Sequence, residues 1–130
     1  MQDKISSGQK LGRDGETLAA AFLVSKGARL IERNWRPARA GLRGEIDLIV
    51  QVGEFLCFVE VKTRASDQHG APQEAVNVSK QKQISRLAVA YLSLNEMSEM
   101  PCRFDVIEVW LAPDQKPRVA WIENAFDFQG

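Results

Sequence analysis

Phe55-Leu56-Cys57-Phe58-Val59-Glu60-Val61-Lys62-Thr63-Arg64 is the stretch that decides how this chain folds. Its apolar first half predicts a strand covered on both faces. Side chains alternate along a strand, so Glu60 and Lys62 stand side by side on one face at the end of that run. Charges in such a place are costly unless they are paired or gathered around a metal. Just upstream, Glu45-Ile46-Asp47-Leu48-Ile49-Val50 is a second apolar strand with its own misplaced acid. The link between the two, Gly53-Glu54, has glycine first and predicts a hairpin closed by a type II′ turn. Strands over Glu45 to Val52 and Phe55 to Thr63 then bring Glu45 and Asp47 into phase with Glu60 and Lys62.

The rest of the chain arranges itself around this hairpin. Gly8 to Lys26 carries Leu11, Leu18, Ala19, Phe22 and Leu23 at helical spacing, with Gly27 as a stop. Glu16 falls on the margin of that stripe, where a solvated glutamate is the plain expectation. Ala28 to Arg36 predicts an edge strand with Leu30 as an inward anchor. Residues 65–78, with Asp67, Gln68, His69, Gly70 and Pro72, predict a polar loop, and the lone His69 reads as a surface histidine. Ser79 to Leu94 predicts a second helix with Ile84, Leu87, Ala88, Tyr91 and Leu92 buried. Lys80 lies on that stripe at the helix start, either pointing toward the sheet or snorkelling past its end. Cys102 to Leu111 and Arg118 to Ile122 predict two more strands, with Trp110 and Trp121 as packing residues. The long crossover after the hairpin lets the fourth strand run parallel to an earlier one. The whole is a single α/β domain over residues 1–130, a mixed five-stranded sheet flanked by helices in the order αβββαββ.

Bulk composition narrows the function. The 130 residues hold 17 basic and 17 acidic side chains, so nucleic-acid binding has to come from a local basic face. Arg29, Arg33, Arg36, Arg39 and Arg43 supply one, as a phosphate-tracking surface or simply a solvated face. No apolar run is long enough to span a membrane, and no secretion signal is legible at the start of the chain. Cys57 and Cys102 lack CxxC spacing and read as reduced, packed thiols of a cytoplasmic protein.

Asp47 and Glu60 brought together repel unless a cation lies between them. Mg²⁺ or Mn²⁺ suits such an oxygen site, and such an ion polarises a phosphodiester and acidifies water. Lys62 then orients water or neutralises charge on the phosphorus. An ion pair of Lys62 with one acid is the structural alternative, but it leaves the second acid unexplained.

Gly44-Glu45-Ile46-Asp47-Leu48-Ile49 followed by Phe58-Val59-Glu60-Val61-Lys62-Thr63-Arg64 resembles the PD-(D/E)XK nuclease signature, in the variant of the small Holliday-junction resolvases. Over nearly its full length the chain resembles the YraN family of bacterial proteins. The matching features include Gly15-Glu16, Arg33-Asn34-Trp35-Arg36, the Lys80-Gln81 helix start and Arg103-Phe104-Asp105-Val106-Ile107. The resemblance implies a restriction-endonuclease-like core with Asp47, Glu60 and the Val61 carbonyl as metal ligands and Lys62 as the catalytic lysine. It also makes Glu16 a support for reacting water, against the solvated reading. Arg33, Arg36, Arg43 and Arg64, with Lys80 and Gln81, become the nucleic-acid contacts. The expected activity is metal-dependent DNA cleavage, with branched or Holliday-junction DNA as substrate and a homodimer to cut two strands. The competing reading is a non-catalytic nucleic-acid-binding or scaffold module that keeps the fold.

Overall fold

A computed structural model describes residues 7–38, 41–65 and 76–130. Residues 66–75 of the expected polar loop, including His69, and Arg39 lie outside the described residues. Helix α1 (Ser7–Ser25) leads into β1 (Arg29–Trp35), β2 (Ile46–Val52) and β3 (Phe55–Arg64). Helix α2 (Val78–Leu94), β4 (Cys102–Trp110) and β5 (Arg118–Phe126) complete the order αβββαββ. The strands form one mixed sheet in the order β1-β2-β3-β4-β5. β3 and β4 are parallel and every other neighbouring pair is antiparallel.

The central strands are apolar throughout because the helices cover opposite faces. Leu56 and Phe58 of β3 pack with Ile84, Leu87, Ala88 and Tyr91 of α2. Cys57 and Val59 pack on the other face with Ala19, Ala20 and Leu23 of α1. Alternation along one strand thus feeds two cores. On the α2 side, Tyr91 meets Trp35 and Phe58 edge-on, and Phe104 stacks on Phe126.

Helix α1 ends as its glycine predicts. Gly27 has φ +97°. The Ala28 N–H donates to the Leu23 carbonyl and the Gly27 N–H to that of Val24, the paired bonds of a Schellman motif. Helix α2 starts at Asn77, whose side chain accepts from the Lys80 N–H at 2.9 Å. At the hairpin, Gly53 alone of its pair has positive φ, as a type II′ turn requires.

Three expectations need correcting. Leu30 is not an inward anchor but is 37% exposed. A register shift between Leu30 and Glu32 makes Ile31 an extra residue, and Ile31 and Trp35 do the packing on the α2 side. Cys102 is exposed rather than packed, unlike Cys57. β5 runs on past Ile122 to Phe126, because Asp105 organises its second half. Asp105 is fully buried and accepts from the Arg103 guanidinium, Trp121 Nε1 and the Asn124 N–H. That carboxylate bridges the register shift between Phe104 and Val106.

Candidate metal centre

The antiparallel ladder of β2 and β3 ends at Leu48↔Val59, while β3 continues to Arg64 alongside β4. The strands therefore fork, and Asp47 and Glu60 are the first residues past the last rung. Asp47 Oδ2 takes over the backbone there, accepting the Val61 N–H at 2.9 Å. In an extended strand a residue's N–H and C=O point to the same side. The Val61 carbonyl is thereby directed to the same edge.

Glu16 comes to this fork from α1, and the helix approaches closely because residue 15 is glycine. A Cβ at Gly15 would fall onto the Thr63 side chain of β3. This close approach explains a glycine inside a helix, where it is unfavourable by about 1 kcal/mol relative to alanine. Glu45 enters from the residue before β2. Carboxylate oxygens of Glu16, Glu45 and Asp47 all lie within 4.8 Å of one another. Asn34, in the left-handed region at φ +50°, joins two of them. Its Nδ2 donates to Glu16 Oε1 at 2.8 Å and to Glu45 Oε1 at 3.3 Å. Arg36 Nε donates to Glu45 Oε2 at 2.8 Å.

The electrostatics mark a place short of positive charge. Burial, then the charge of Glu60, pushes the Asp47 carboxyl up to about 8, and Glu16 adds to the effect. Burial raises Glu60 as well, against the pull of Lys80. Burial and the neighbouring acid both favour the neutral form of Asp47, whose carboxyl lies beside that of Glu60. Lys80 Nζ lies 3.6 Å from Glu60 Oε1, so the side chain turns toward the sheet rather than away. Lys62 is exposed and makes no hydrogen bond or ion pair among the described residues, although its charge acts on Glu60. This donor set is all oxygen, and the three carboxylates stand close enough together that they could hold a metal ion.

The expected nucleic-acid contacts divide by surroundings. Arg36 and Arg43 are exposed near the acids or at the mouth of α2, and Lys80 bridges the two places. Arg33 Nη2 donates to Thr17 Oγ1 at 3.1 Å, tying β1 to α1. Arg64 pairs at 3.2 Å with the fully buried Glu108. Gln81 Nε2 donates to the Val76 carbonyl at 3.1 Å, an anchor just before the helix. Sequence reasoning brought Glu45 into phase with the acids but gave neither it nor Asn34 a role in the site. Glu45 was signalled by its position two residues before Asp47, on the same strand phase. Asn34 stood in a quoted motif but without a role, because its place in the cluster depends on a left-handed backbone.

Fold and cluster together define an α/β protein with a group of carboxylates that could hold a metal ion. Comparison with known proteins places it further. Residues 15–109 match the model of Uncharacterised protein family UPF0102, and the chain belongs to that family, the YraN family its motifs resemble. A UPF0102 protein of Symbiobacterium thermophilum is 48% identical over 118 residues, covering 91% of this chain and 97% of the relative. One from Geobacter sulfurreducens is 44% identical over 117 residues, covering 90% and 88%. Among solved structures, Pyrococcus furiosus SfsA in complex with Ca²⁺ aligns with a TM-score of 0.40 at 12% identity. That alignment covers 89% of this chain and 63% of SfsA, so this chain spans less than two thirds of SfsA, and a likeness so distant carries no argument about the chemistry here.

Proposed function

We propose that this chain is a divalent-metal-dependent endonuclease that hydrolyses phosphodiester bonds in DNA, with branched or four-way-junction DNA as its preferred form. The observation that carries the reading is the convergence of Glu16, Glu45 and Asp47 within 4.8 Å beside the half-buried Glu60 and two lysines. Asp47, Glu60 and the Val61 carbonyl would hold the ion, with Glu16 and Glu45 beside them. When bound, the ion supplies Lewis-acid polarisation and makes water more acidic. The chain supplies the remainder. Glu16, half-buried and fixed by Asn34, accepts a hydrogen bond from the attacking water and aligns it. Lys62 offsets charge building on the non-bridging phosphate oxygens. Lys80 opposes the effect of burial on Glu60 and holds its carboxylate turned inward. Two strands of a junction need two such centres, which makes a homodimer part of the proposal. Two free cysteines, one of them buried, accord with a cytoplasmic setting.

The test is a panel of linear, flapped and four-way DNA and structured RNA, incubated with and without Mn²⁺. Cleavage should require the metal and fall by roughly 10²-fold or more in Lys62→Ala and Asp47→Asn. Undiminished cleavage by both purified variants refutes the assignment. Metal-independent binding with no cleavage of any substrate favours the non-catalytic module instead.

A further inference from the structure

A cavity of about 540 Å³ opens between the stretch 41–43 and the first turns of α2. It is a separate recess from the one that contains Glu16, Asn34 and Glu45. Three cations line it, Arg43, Lys80 and Arg86, together with the polar side chains of Asn77, Ser79 and Gln83, and no carboxylate among the described residues does. Among the described residues neither the Arg43 nor the Arg86 side chain has an ion pair or hydrogen bond. Arg43 and Arg86 are therefore gathered without a described anion to match them, while Lys80 is shared with Glu60. Their placement is also built: Gln83 Nε2 donates to the Arg43 carbonyl at 3.2 Å, fastening the incoming stretch to the helix. Gly44, at φ +97°, permits that contact, since a Cβ there would come within 2.5 Å of the Gln83 amide. Lys80 belongs to both places, lining the cavity while its Nζ lies 3.6 Å from Glu60.

We propose that this cavity seats a backbone phosphate of the nucleic-acid strand next to the one under attack, held by Arg43 and Arg86, with Lys80 spanning the two positions. The proposal rests on the nuclease reading of the acid cluster and adds to it where the strand is gripped. Guanidinium groups suit phosphate oxygens through paired N–H donors. A contact of this kind sets register without reading sequence, so it serves DNA and RNA alike.

The experiment measures binding of short fluorescent DNA and RNA of matched sequence by polarisation across a salt series, without metal, in the Asp47→Asn background. Each phosphate contact contributes about 0.9 to the slope of log K against log salt on duplex DNA. The double variant Arg43→Gln/Arg86→Gln should flatten the slope by about 1 to 2 and weaken binding roughly eightfold per lost contact at about 0.1 M salt. Lys116→Gln, exposed on the connection from β4 to β5, should leave both unchanged. Both arginines are at the surface, so the melting temperature should stay within about a degree or two of the parent. An unchanged slope in the double variant, while the parent binds, overturns the cavity proposal and leaves the nuclease reading standing. Flattening by the double variant, where the protein with Asp47 intact and Mn²⁺ present cleaves nothing, sinks the catalytic reading alone. A parent that binds no nucleic acid overturns both.

Discussion

Asp47→Asn should stabilise the metal-free protein, and by an amount that depends on pH. In the native state the carboxyl is raised to about 8 from an ordinary 3.8, so it keeps a proton that the unfolded chain releases. A group with a raised native pKa contributes its full stability below about pH 3.8 and loses it as pH rises toward 8. At pH 7 the loss approaches about 4 kcal/mol, taking 1.36 kcal/mol per unit. Asparagine keeps the shape, can still accept the Val61 N–H, and donates to Glu60 without needing to hold a proton. The expected gain at pH 7 is about 2–4 kcal/mol. For a chain of this length that is on the order of 10 °C in melting temperature. The difference should shrink toward zero at pH 4, and saturating Mn²⁺ should close it at pH 7 by stabilising the parent alone. Thermal melts in a chelator from pH 4 to 8 measure this. A variant that melts no higher than the parent at pH 8, or a gap independent of pH, would refute a crowded, proton-holding acid pair.

Gly15→Ala should destabilise by about 1–3 kcal/mol despite alanine's better helix propensity, because the new methyl meets Thr63; Thr63→Ala in the same chain should recover part of that in a denaturant titration. Arg64→Ala should lower stability by about 3–5 kcal/mol by leaving the buried Glu108 without its cation, a change read from urea midpoints. Asp105→Ala should cost a similar amount, with hydrogen exchange rising first in Glu123 to Phe126, since the bonds to Arg103, Trp121 and Asn124 vanish together. Asn34→Ala should weaken Mn²⁺ binding in calorimetry by frustrating the alignment of Glu16 and Glu45, while Asn34→Gly should relieve backbone strain without restoring affinity.

The hairpin was legible because two signals coincide there: alternation fixes which residues face together, and Gly53 fixes the turn. Those two facts are enough to place Asp47 beside Glu60. Glu16 was not legible from its own helix. Its place on the stripe margin suits solvent equally well, and only Gly15, which lets α1 close on Thr63, brings it to the fork. The direction of Lys80 was open for the same reason, since helical phase gives a face but not the partner waiting there. Leu30 misled because an extra residue at Ile31 shifts the phase of β1, and bulges of this kind leave little trace in hydrophobicity. Asp105 looked like a motif residue and proves to be a structural one, its carboxylate fully satisfied inside the sheet.

The two outer strands share a habit. β1 carries a register shift and a left-handed Asn34, and β5 carries a left-handed Asn124 opposite the register shift in β4. Such irregularities bend an edge away from the flat, open ladder that another strand could copy. A two-centre assembly of this chain would therefore be joined through helix or loop surfaces rather than by continuing the sheet from one subunit into the next. The same bends give the newly made chain a defence against stacking edge to edge into aggregates.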